Sequence, residues 1–292
     1  MGEHNVLTTG GQNPNAKIDD KGALVLAEIT TPTPLASFGK IYTKTDNRAY
    51  FQDGAGVEKL IAKSPSFSSL WYHGAESTTT ISTQNLFFQV TDFINVGVED
   101  ASTNLVGDAT TDDDLVVGAN GAGAYRLCLQ SSFRNSGGGS TTMLIAAGIT
   151  LATPIAIASS TDADPIVVTT SAAHGLQTGT MVRIAGHATN VAANIDAIIT
   201  VLAPTTFELR DLSNATIAGS GSGAGTGGNI TVLFPGNVVV HRIVSQTDLG
   251  RGMAEGTFNL VASDIIEFYV ADLGGTANFI SVQNVLCAER IE

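Results

Sequence analysis

Short segments of alternating polarity, separated by turn residues, restrict the fold of this chain more than any other feature. In the segment IIEFYV, Ile266, Phe268 and Val270 fall on one face of an extended chain, and the intervening residues fall on the other. No window sustains the apolar spacing of an amphipathic helix, because glycine or asparagine interrupts every candidate. The sequence therefore predicts an all-β chain, and the length and spacing of its strands favour a β-sandwich.

Composition divides the chain into regions of different character. Residues 1–34 are polar and rich in turn residues, so we expect an extended N-terminal attachment arm that orders against a partner. Residues 35–63 contain three short β-like runs, which predicts a β-meander stem that is marginal alone and adequate when stacked about a three-fold axis. Residues 64–153 and 230–292 carry the longest apolar strands and form the predicted head. Residues 154–229 end in a glycine-rich run, so we expect an independent domain inserted into the head.

The charge balance limits the partners of the chain. Only 14% of its residues are charged, and 14 Lys and Arg stand against 27 Asp and Glu, a net charge of −13. This balance argues against nucleic acid and against anionic lipid as partners. The apolar stretch 143–160 contains Pro154 and several Thr and Ser, so we interpret it as β-structure without membrane insertion. The N-terminus lacks the basic and apolar regions of a signal peptide, so we expect synthesis in the cytoplasm.

The two cysteines, Cys128 and Cys287, each lie in an apolar, strand-like stretch. The favoured interpretation is a pair of buried, reduced thiols that pack as small apolar side chains. A disulfide between them is the alternative if their strands are neighbours. Neither cysteine has the spacing of a catalytic or zinc-binding motif.

The acidic run TDDDL at 111–115 is the most conspicuous cluster of ionisable residues. We expect a solvated loop there, although Asp112, Asp113 and Asp114 could contribute to a calcium site that lacks the regular ligand spacing of known calcium loops. No nucleophile elbow and no phosphate-binding loop occurs. We therefore expect no enzymatic activity, no cofactor and no metal.

The five histidines show no pair at metal-binding spacing. His174, in a His-Gly-Leu turn, and His187 both fall within the inserted region. We expect structural hydrogen bonds from them rather than ligand binding.

Three stretches of the head resemble the trimeric jelly roll of tumour necrosis factors and complement heads: GAYRLCLQSSF at 123–133, GTFNLVASDIIEFYVADLGG at 256–275 and FISVQNVLCAERIE at 279–292. The resemblance implies a jelly-roll fold and a homotrimer with aromatic side chains near its axis. It makes three aromatic residues candidates for the trimer interface, with an ordinary core position as the alternative for each: Tyr125, Tyr269 and Phe279.

The inserted region resembles a small β-barrel named for the first catalytic-cysteine half-domain of ubiquitin-activating enzymes, which recurs in phage structural proteins. The resemblance implies a small β-barrel, and this copy contains no cysteine. The matching residues are His174, Gly175, Leu176, Gly179, Val182, Ile184, Gly186, Thr206, Phe207, Gly225, Thr226, Gly227 and Gly228.

The segment 35–63 resembles segments near the attachment end of phage fibres. The matching residues are Gly39, Ile41, Tyr42, Lys44, Asp46, Asn47, Tyr50, Phe51, Asp53, Gly54 and Gly56.

The three resemblances together imply a non-enzymatic structural virion protein of a tailed bacteriophage. We expect a trimeric short fibre or spike, anchored to capsid or tail proteins by its N-terminus, with a head that contacts a host-surface glycan or protein. The alternative is a capsid decoration or head-fibre protein that stabilises the particle, and a less favoured alternative is a polysaccharide-degrading tail spike. The candidate residues for particle attachment are the apolar residues Val6, Leu7, Leu24, Leu26 and Ile29.

Overall fold

The computed structural model describes residues 16–18, 24–45, 49–61, 66–97, 104–235 and 239–291 of the chain. The chain divides into two compact units, 1–64 and 65–292. The elements in both units are antiparallel β-strands with one short 3-10 helix, so the prediction of an all-β chain is confirmed. No helix among the described residues has the length and apolar character needed to cross a membrane.

The first unit contains a hairpin and a three-stranded meander. Its strands are β1 (Ala16–Ile18), β2 (Leu24–Leu26), β3 (Lys40–Thr43), β4 (Ala49–Gln52) and β5 (Glu58–Leu60). Strand β1 pairs with β2, and β3, β4 and β5 pair in sequence order. The predicted meander is therefore present.

The second unit holds the remaining strands. They are β6 (Phe67–Thr79), β7 (Phe88–Gln89), β8 (Asn95–Val96), β9 (Leu105–Asp108), β10 (Asp114–Val117), β11 (Gly123–Asn135), β12 (Thr141–Ser160), β13 (Val167–Thr170), β14 (Met181–Ala185), the 3-10 helix Val191–Ala193, β15 (Asp196–Ala203), β16 (Thr206–Arg210), β17 (Gly225–Thr226), β18 (Asn229–Phe234), β19 (Val239–Val244), β20 (Gly250–Leu260), β21 (Ile265–Leu273) and β22 (Phe279–Arg290).

Two sheets of the second unit form the predicted sandwich. Sheet one has the order β20-β11-β22-β6-β8, and sheet two has the order β9-β10-β21-β12-β19. The neighbouring strands are antiparallel, and most are distant in sequence. Without the short strands β8 and β9 at the sheet edges, the eight main strands form a jelly roll. Alternate residues of both sheets point inward and pack as one core, which includes Leu70, Leu115, Leu127, Phe133, Met143, Ile145, Ile266, Phe268, Phe279 and Leu286.

The inserted region closes into a six-stranded barrel. Its strands follow the order β13-β16-β15-β14-β18-β12, and pairing of β12 with β13 completes the ring. Closure leaves no free sheet edge within the barrel. Its separate core contains Ile157, Ile166, Val168, Val182, Ile184, Ala193, Ala197, Ile199, Phe207, Leu209 and Ile230.

Strand β12 belongs to both the sandwich and the barrel. Residues up to Thr150 pair with β21, and Ile157 to Ser160 pair with β13. Pro154 lies between these two segments, where its missing N–H breaks no ladder to either partner. The strand therefore passes from one core to the other without a linker.

A third apolar cluster joins the barrel to the outer side of sheet two. It contains Phe87, Leu144, Ala146, Met181, Leu212, Val232, Phe234, Tyr269 and Ala271. The expectation of an independent inserted domain is therefore wrong, because barrel and sandwich share a strand and a buried contact.

Candidate interaction surfaces

The outer side of sheet one is open to solvent, whereas the barrel covers part of the outer side of sheet two. Along β20, every second residue from Arg251 to Thr257 is exposed. A central row across the sheet joins Met253, Gln130, Val285 and Trp71. Met253 is 62% exposed and Trp71 is 40% exposed. We call this surface the open face; its middle is apolar and neutral.

Two arginines of the open face lie beside this row: Arg251 donates to the Gln130 side-chain oxygen at 3.4 Å, and Arg126 pairs with carboxylates. Arg126 Nη2 lies 2.5 Å from a carboxylate oxygen of Glu289, and Arg126 Nε lies 3.7 Å from Glu255. Exposed pairs of this kind contribute little to stability. Their effect is to leave little uncompensated charge at that end of the face.

The two cysteines lie on the open face and form a disulfide. Cys128 and Cys287 are directly opposite in the register of β11 and β22, with their Cα atoms 5.1 Å apart. Both residues are half-buried. The expectation of reduced, buried thiols is wrong because β11 and β22 are neighbours in the sheet, which the sequence pattern does not show.

The three aromatic interface candidates point into the chain itself. Tyr125 and Phe279 are fully buried, and Tyr269 is 5% exposed. The Tyr125 hydroxyl donates to the Gly121 carbonyl at 2.6 Å. All three side chains therefore occupy core positions, which was the alternative stated for each. They are not interface residues in this conformation, because a second chain cannot reach them.

The attachment candidates are only partly described. Val6 and Leu7 lie outside the described residues, and Leu24 and Leu26 belong to β2. The Ile29 amide donates to the Thr43 carbonyl at 2.8 Å, so this part of the arm adds to the edge of β3.

One side of the meander is polar and compact. Tyr42 is buried, stacks on Tyr50 and donates a hydrogen bond to Glu58. Lys44 Nζ lies 2.6 Å from Glu58 and 4.5 Å from the centre of the Tyr50 ring. Lys44 and the Tyr42 hydroxyl lower the pKa of Glu58 to about 2. These contacts hold the three strands together within a single chain.

The meander also exposes large apolar side chains. Ile41 and Phe51 lie directly opposite each other on β3 and β4, with Lys59 next to them on β5. The exposed fractions of the whole group range from 38% to 63%. The group, which we call the meander apolar set, consists of Leu35, Phe38, Ile41, Phe51, Val57 and Ile61.

A buried ion pair fixes the barrel against the sandwich. Arg183 on β14 binds Asp196 on β15 through two hydrogen bonds of 2.7 Å. Asp196 also accepts the amide of Phe87 at 2.7 Å, and Phe87 precedes the sandwich strand β7. The Arg183 guanidinium lies 5.6 Å from the ring centre of Tyr269. Burial and the nearby Glu267 carboxylate raise the pKa of the Tyr269 hydroxyl.

The acidic run is not the solvated loop that the sequence predicts. Asp113 and Asp114 are buried, and only Asp112 is exposed. Asp114 faces Asp108 on β9 and Glu267 on β21, so three carboxylates form a row across sheet two. Burial raises the pKa of Asp113 and of Asp114 to about 6, and the surrounding carboxylates add to the rise. The difference from the expectation arises from the pairing of β10 with β21, which brings together residues that are far apart in the sequence.

The Oδ1 atoms of Asp113 and Asp114 have no hydrogen-bond partner in the part of the chain that the structure describes. Within that part, no three His, Cys, Asp or Glu side chains converge on a position that could hold a metal ion. Asp114 is the buried member of the row, between the half-buried Asp108 and Glu267, and the adjacent Asp113 is a second buried acid.

Both barrel histidines form structural hydrogen bonds, in agreement with the sequence interpretation. The Nδ1 of His174 accepts the Leu176 amide at 3.0 Å, and its Nε2 lies 3.2 Å from the Ala203 carbonyl. His187 lies between the Ser160 hydroxyl and the Gly227 carbonyl. These bonds fix the turns on which the histidines lie.

A cleft of about 700 Å³ lies where the barrel meets the end of β20. One wall is the barrel loop 175–180, and the other is the segment 257–260 of β20. Ile149, Leu151 and Pro235 complete the lining. We call this the junction cleft. It combines residues from the two parts of the head, so sequence patterns within either part could not identify it.

Comparison with known proteins adds no family assignment. No protein-family model matches the chain, and no curated protein matches it at a significant level.

Proposed function

We propose that the chain is a non-enzymatic structural protein of a tailed-bacteriophage particle, a homotrimeric short spike with a jelly-roll head. The observation that carries the proposal is the meander apolar set, which the described chain leaves uncovered. A three-stranded sheet that leaves its apolar side in water buries little apolar surface, so its stability is marginal by itself. Further copies of the same sheet supply the missing cover.

The exposed area is large enough to matter for association. A large apolar side chain offers roughly 150 Å² of surface, so six half-exposed side chains present about 450 Å² per chain. Soluble monomers seldom leave more than a few hundred Å² of apolar surface in one patch. A stable interface buries about 800 Å² per partner, which the apolar set and its surroundings can supply.

Charge favours contact between copies at the meander. The whole chain carries −13, but residues 24–61 carry four positive and four negative side chains and are neutral. Copies therefore meet there without net repulsion. The charged residues of this segment are Glu28, Lys40, Lys44, Asp46, Arg48, Asp53, Glu58 and Lys59.

The open face offers a second contact region within the head, because Met253, Val285 and Trp71 present apolar side chains along its central row. The disulfide between Cys128 and Cys287 also supports a location on the particle. Disulfides persist on virion surfaces and are rare in the reducing cytoplasm where the chain is expected to be made. The bond would then form after release from the cell.

Light scattering of the purified chain, coupled to size exclusion, tests the trimer. We expect three times the chain mass for the wild type and a shift toward monomer for the double variant Ile41→Ser/Phe51→Ser. The matched control, Val191→Ser/Leu202→Ser, removes two equally exposed apolar side chains from the barrel and should remain trimeric. A monomeric wild type would overturn the proposal.

Labelling on intact particles separates the two structural roles. A tag at the head should appear at the tail for a spike and over the capsid for a decoration protein. Release of sugars from host capsule by the purified chain would instead favour the polysaccharide-degrading alternative.

A further inference from the structure

We propose that the junction cleft binds a neutral saccharide. The inference gives a ligand class to the host contact in the proposed function, and it rests on that function. The volume of the junction cleft, about 700 Å³, falls within the range of roughly 300–1,000 Å³ that is typical of ligand sites.

The cleft lining contains no charged side chain and no histidine. Recognition of phosphate or carboxylate groups relies on Arg or Lys, and recognition of cationic groups relies on carboxylates or aromatic cages. In a chain of 41 charged residues, 14 basic and 27 acidic, a neutral cleft therefore selects an uncharged ligand.

Two kinds of surface face each other across the cleft. Ile149, Leu151 and Leu260 provide an apolar wall together with the half-buried ring of Phe258. Neutral polar side chains provide the remaining contacts. A sugar ring has the same two characters, with C–H groups on its faces and hydroxyl groups on its edges.

One polar side chain of the barrel loop is available to a ligand. Gln177 is exposed, and its side chain makes no hydrogen bond to the described residues. Thr257 and Asn259 alternate with Phe258 on β20, so their side chains point away from the cleft, to the open face. The Gln177 amide offers two donors and an acceptor, which suits adjacent sugar hydroxyls that donate and accept at once. A peptide would mainly require free backbone groups, so a saccharide is the better match to this amide.

The barrel loop that forms one wall is held in place before any ligand arrives. The Gly179 amide donates to the Ile199 carbonyl at 2.9 Å, and the Thr178 hydroxyl oxygen accepts the Val201 amide at 2.9 Å. Gly175 and Gly179 have φ values of 67° and 90°, which other residues adopt rarely. A fixed wall reduces the entropy lost on binding.

An oligosaccharide array tests the inference with the full chain. The array carries neutral glucose-, galactose- and mannose-based oligosaccharides alongside sialylated and uronic acid-containing ones. We expect binding to one or more neutral members, and titration calorimetry with the strongest should show about a tenfold loss of affinity in Gln177→Ala. The thermal unfolding temperature of this variant should equal that of the wild type, because the side chain is exposed and unbonded.

The control variant Gln246→Ala removes an exposed amide at the opposite end of β20 and should bind as the wild type does. Absence of binding to every sugar, binding to acidic sugars alone or to a peptide library alone, or unchanged affinity in Gln177→Ala would each overturn the inference. Light scattering on the same samples keeps the two proposals apart: a trimer without sugar binding contradicts the cleft alone, and a monomer contradicts the proposed function.

Discussion

Asp113 and Asp114 make the stability of the folded chain dependent on pH. Their pKa values rise from the ordinary 3.8 to about 6 because burial disfavours the charged forms. The folded chain thus binds these two protons more tightly than the unfolded chain does. The resulting stabilisation is complete below about pH 4 and is lost as the pH rises through about 6.

Replacing one of these acids should therefore stabilise the chain at neutral pH. For Asp114→Asn we expect the free energy of unfolding to rise by about 1–2 kcal/mol at pH 7.5, since two pKa units correspond to about 2.7 kcal/mol before solvent screening. At pH 4 the variant should match the wild type. Urea unfolding at both pH values measures the difference.

Asp108 provides a control of opposite sign in the same row. Its Oδ1 accepts the amides of Thr110 and Thr111 at 2.7 and 2.9 Å, and these bonds lower its pKa. Asp108→Asn should therefore reduce stability at pH 7.5. A loss of stability in Asp114→Asn under the same conditions would contradict the account of the row.

The sequence patterns predicted that side chains alternate between the two faces of a strand, but they did not predict which of the two faces is buried. Tyr125 belongs to a clear alternating strand, and only the resemblance to a trimeric family with aromatic side chains near its axis made it an interface candidate. In the fold, the Tyr125 hydroxyl is satisfied internally by the Gly121 carbonyl, which permits full burial. The disulfide was equally out of reach, because pairing of Cys128 with Cys287 depends on the register of two strands 159 residues apart.

Besides the shared strand β12 and the apolar cluster, an ion pair between two barrel strands contributes to the joint with the sandwich through its contacts to Phe87. The side chain of Asp196 is 1% exposed, and it is bound by Arg183 on β14 and by the Phe87 amide. Arg183→Ala should lower the free energy of unfolding by about 3–5 kcal/mol, because the Asp196 carboxylate would remain buried without a cation. Chemical denaturation of the full chain measures the loss.

Arg210 is the matched control for this change. It lies on the neighbouring barrel strand β16 and pairs with Glu208 at 3.6 Å, with both side chains partly exposed. Arg210→Ala should cost less than about 1 kcal/mol. If both substitutions lowered the free energy of unfolding equally, the ion pair of Arg183 and Asp196 would contribute no more to stability than the partly exposed pair does.

At the level of elements, sequence patterns predicted the structure well where the paired strands are close together in the sequence. The meander was predictable because its turns and alternating runs follow one another within 35–63. The glycine-rich run indicated an insertion, whereas a barrel was implied only by the resemblance of this region to a known module. The attachment of the barrel to sheet two was not predictable, since Met181 and Phe234 look like ordinary strand residues until the partner surface is known.

The net charge of the whole molecule governs how its copies associate. Three chains of −13 carry −39 together, so repulsion opposes the proposed trimer. Raising NaCl from about 0.02 M to about 0.3 M shortens the screening length from roughly 20 Å to roughly 6 Å. We expect the trimer to resist dilution better at the higher salt concentration, as measured by mass photometry.

Weaker association at high salt would instead indicate that ion pairs between chains dominate the interface. The variant Ile41→Ser/Phe51→Ser serves as a reference, because its remaining association should show the same direction of salt dependence.

The jelly-roll topology itself could be proposed only from resemblance. Alternation predicts strands and a two-layered core, but neighbours in sheet one are separated by as many as 222 residues, as for Phe67 opposite Glu289. No local pattern encodes such pairing, because hydrophobic burial is non-directional.

The continuous strand β12 has a mechanical consequence for the head. A pull on the barrel enters the sandwich along the axis of β12, and the ladders to β19 and β21 lie at right angles to that pull. Many hydrogen bonds then bear the load in parallel, as a shear, whereas a flexible tether would let the bonds open one after another. If the head holds a bacterium at the barrel, as an extension of the proposed function, fluid flow would pull on the molecule along its strongest direction.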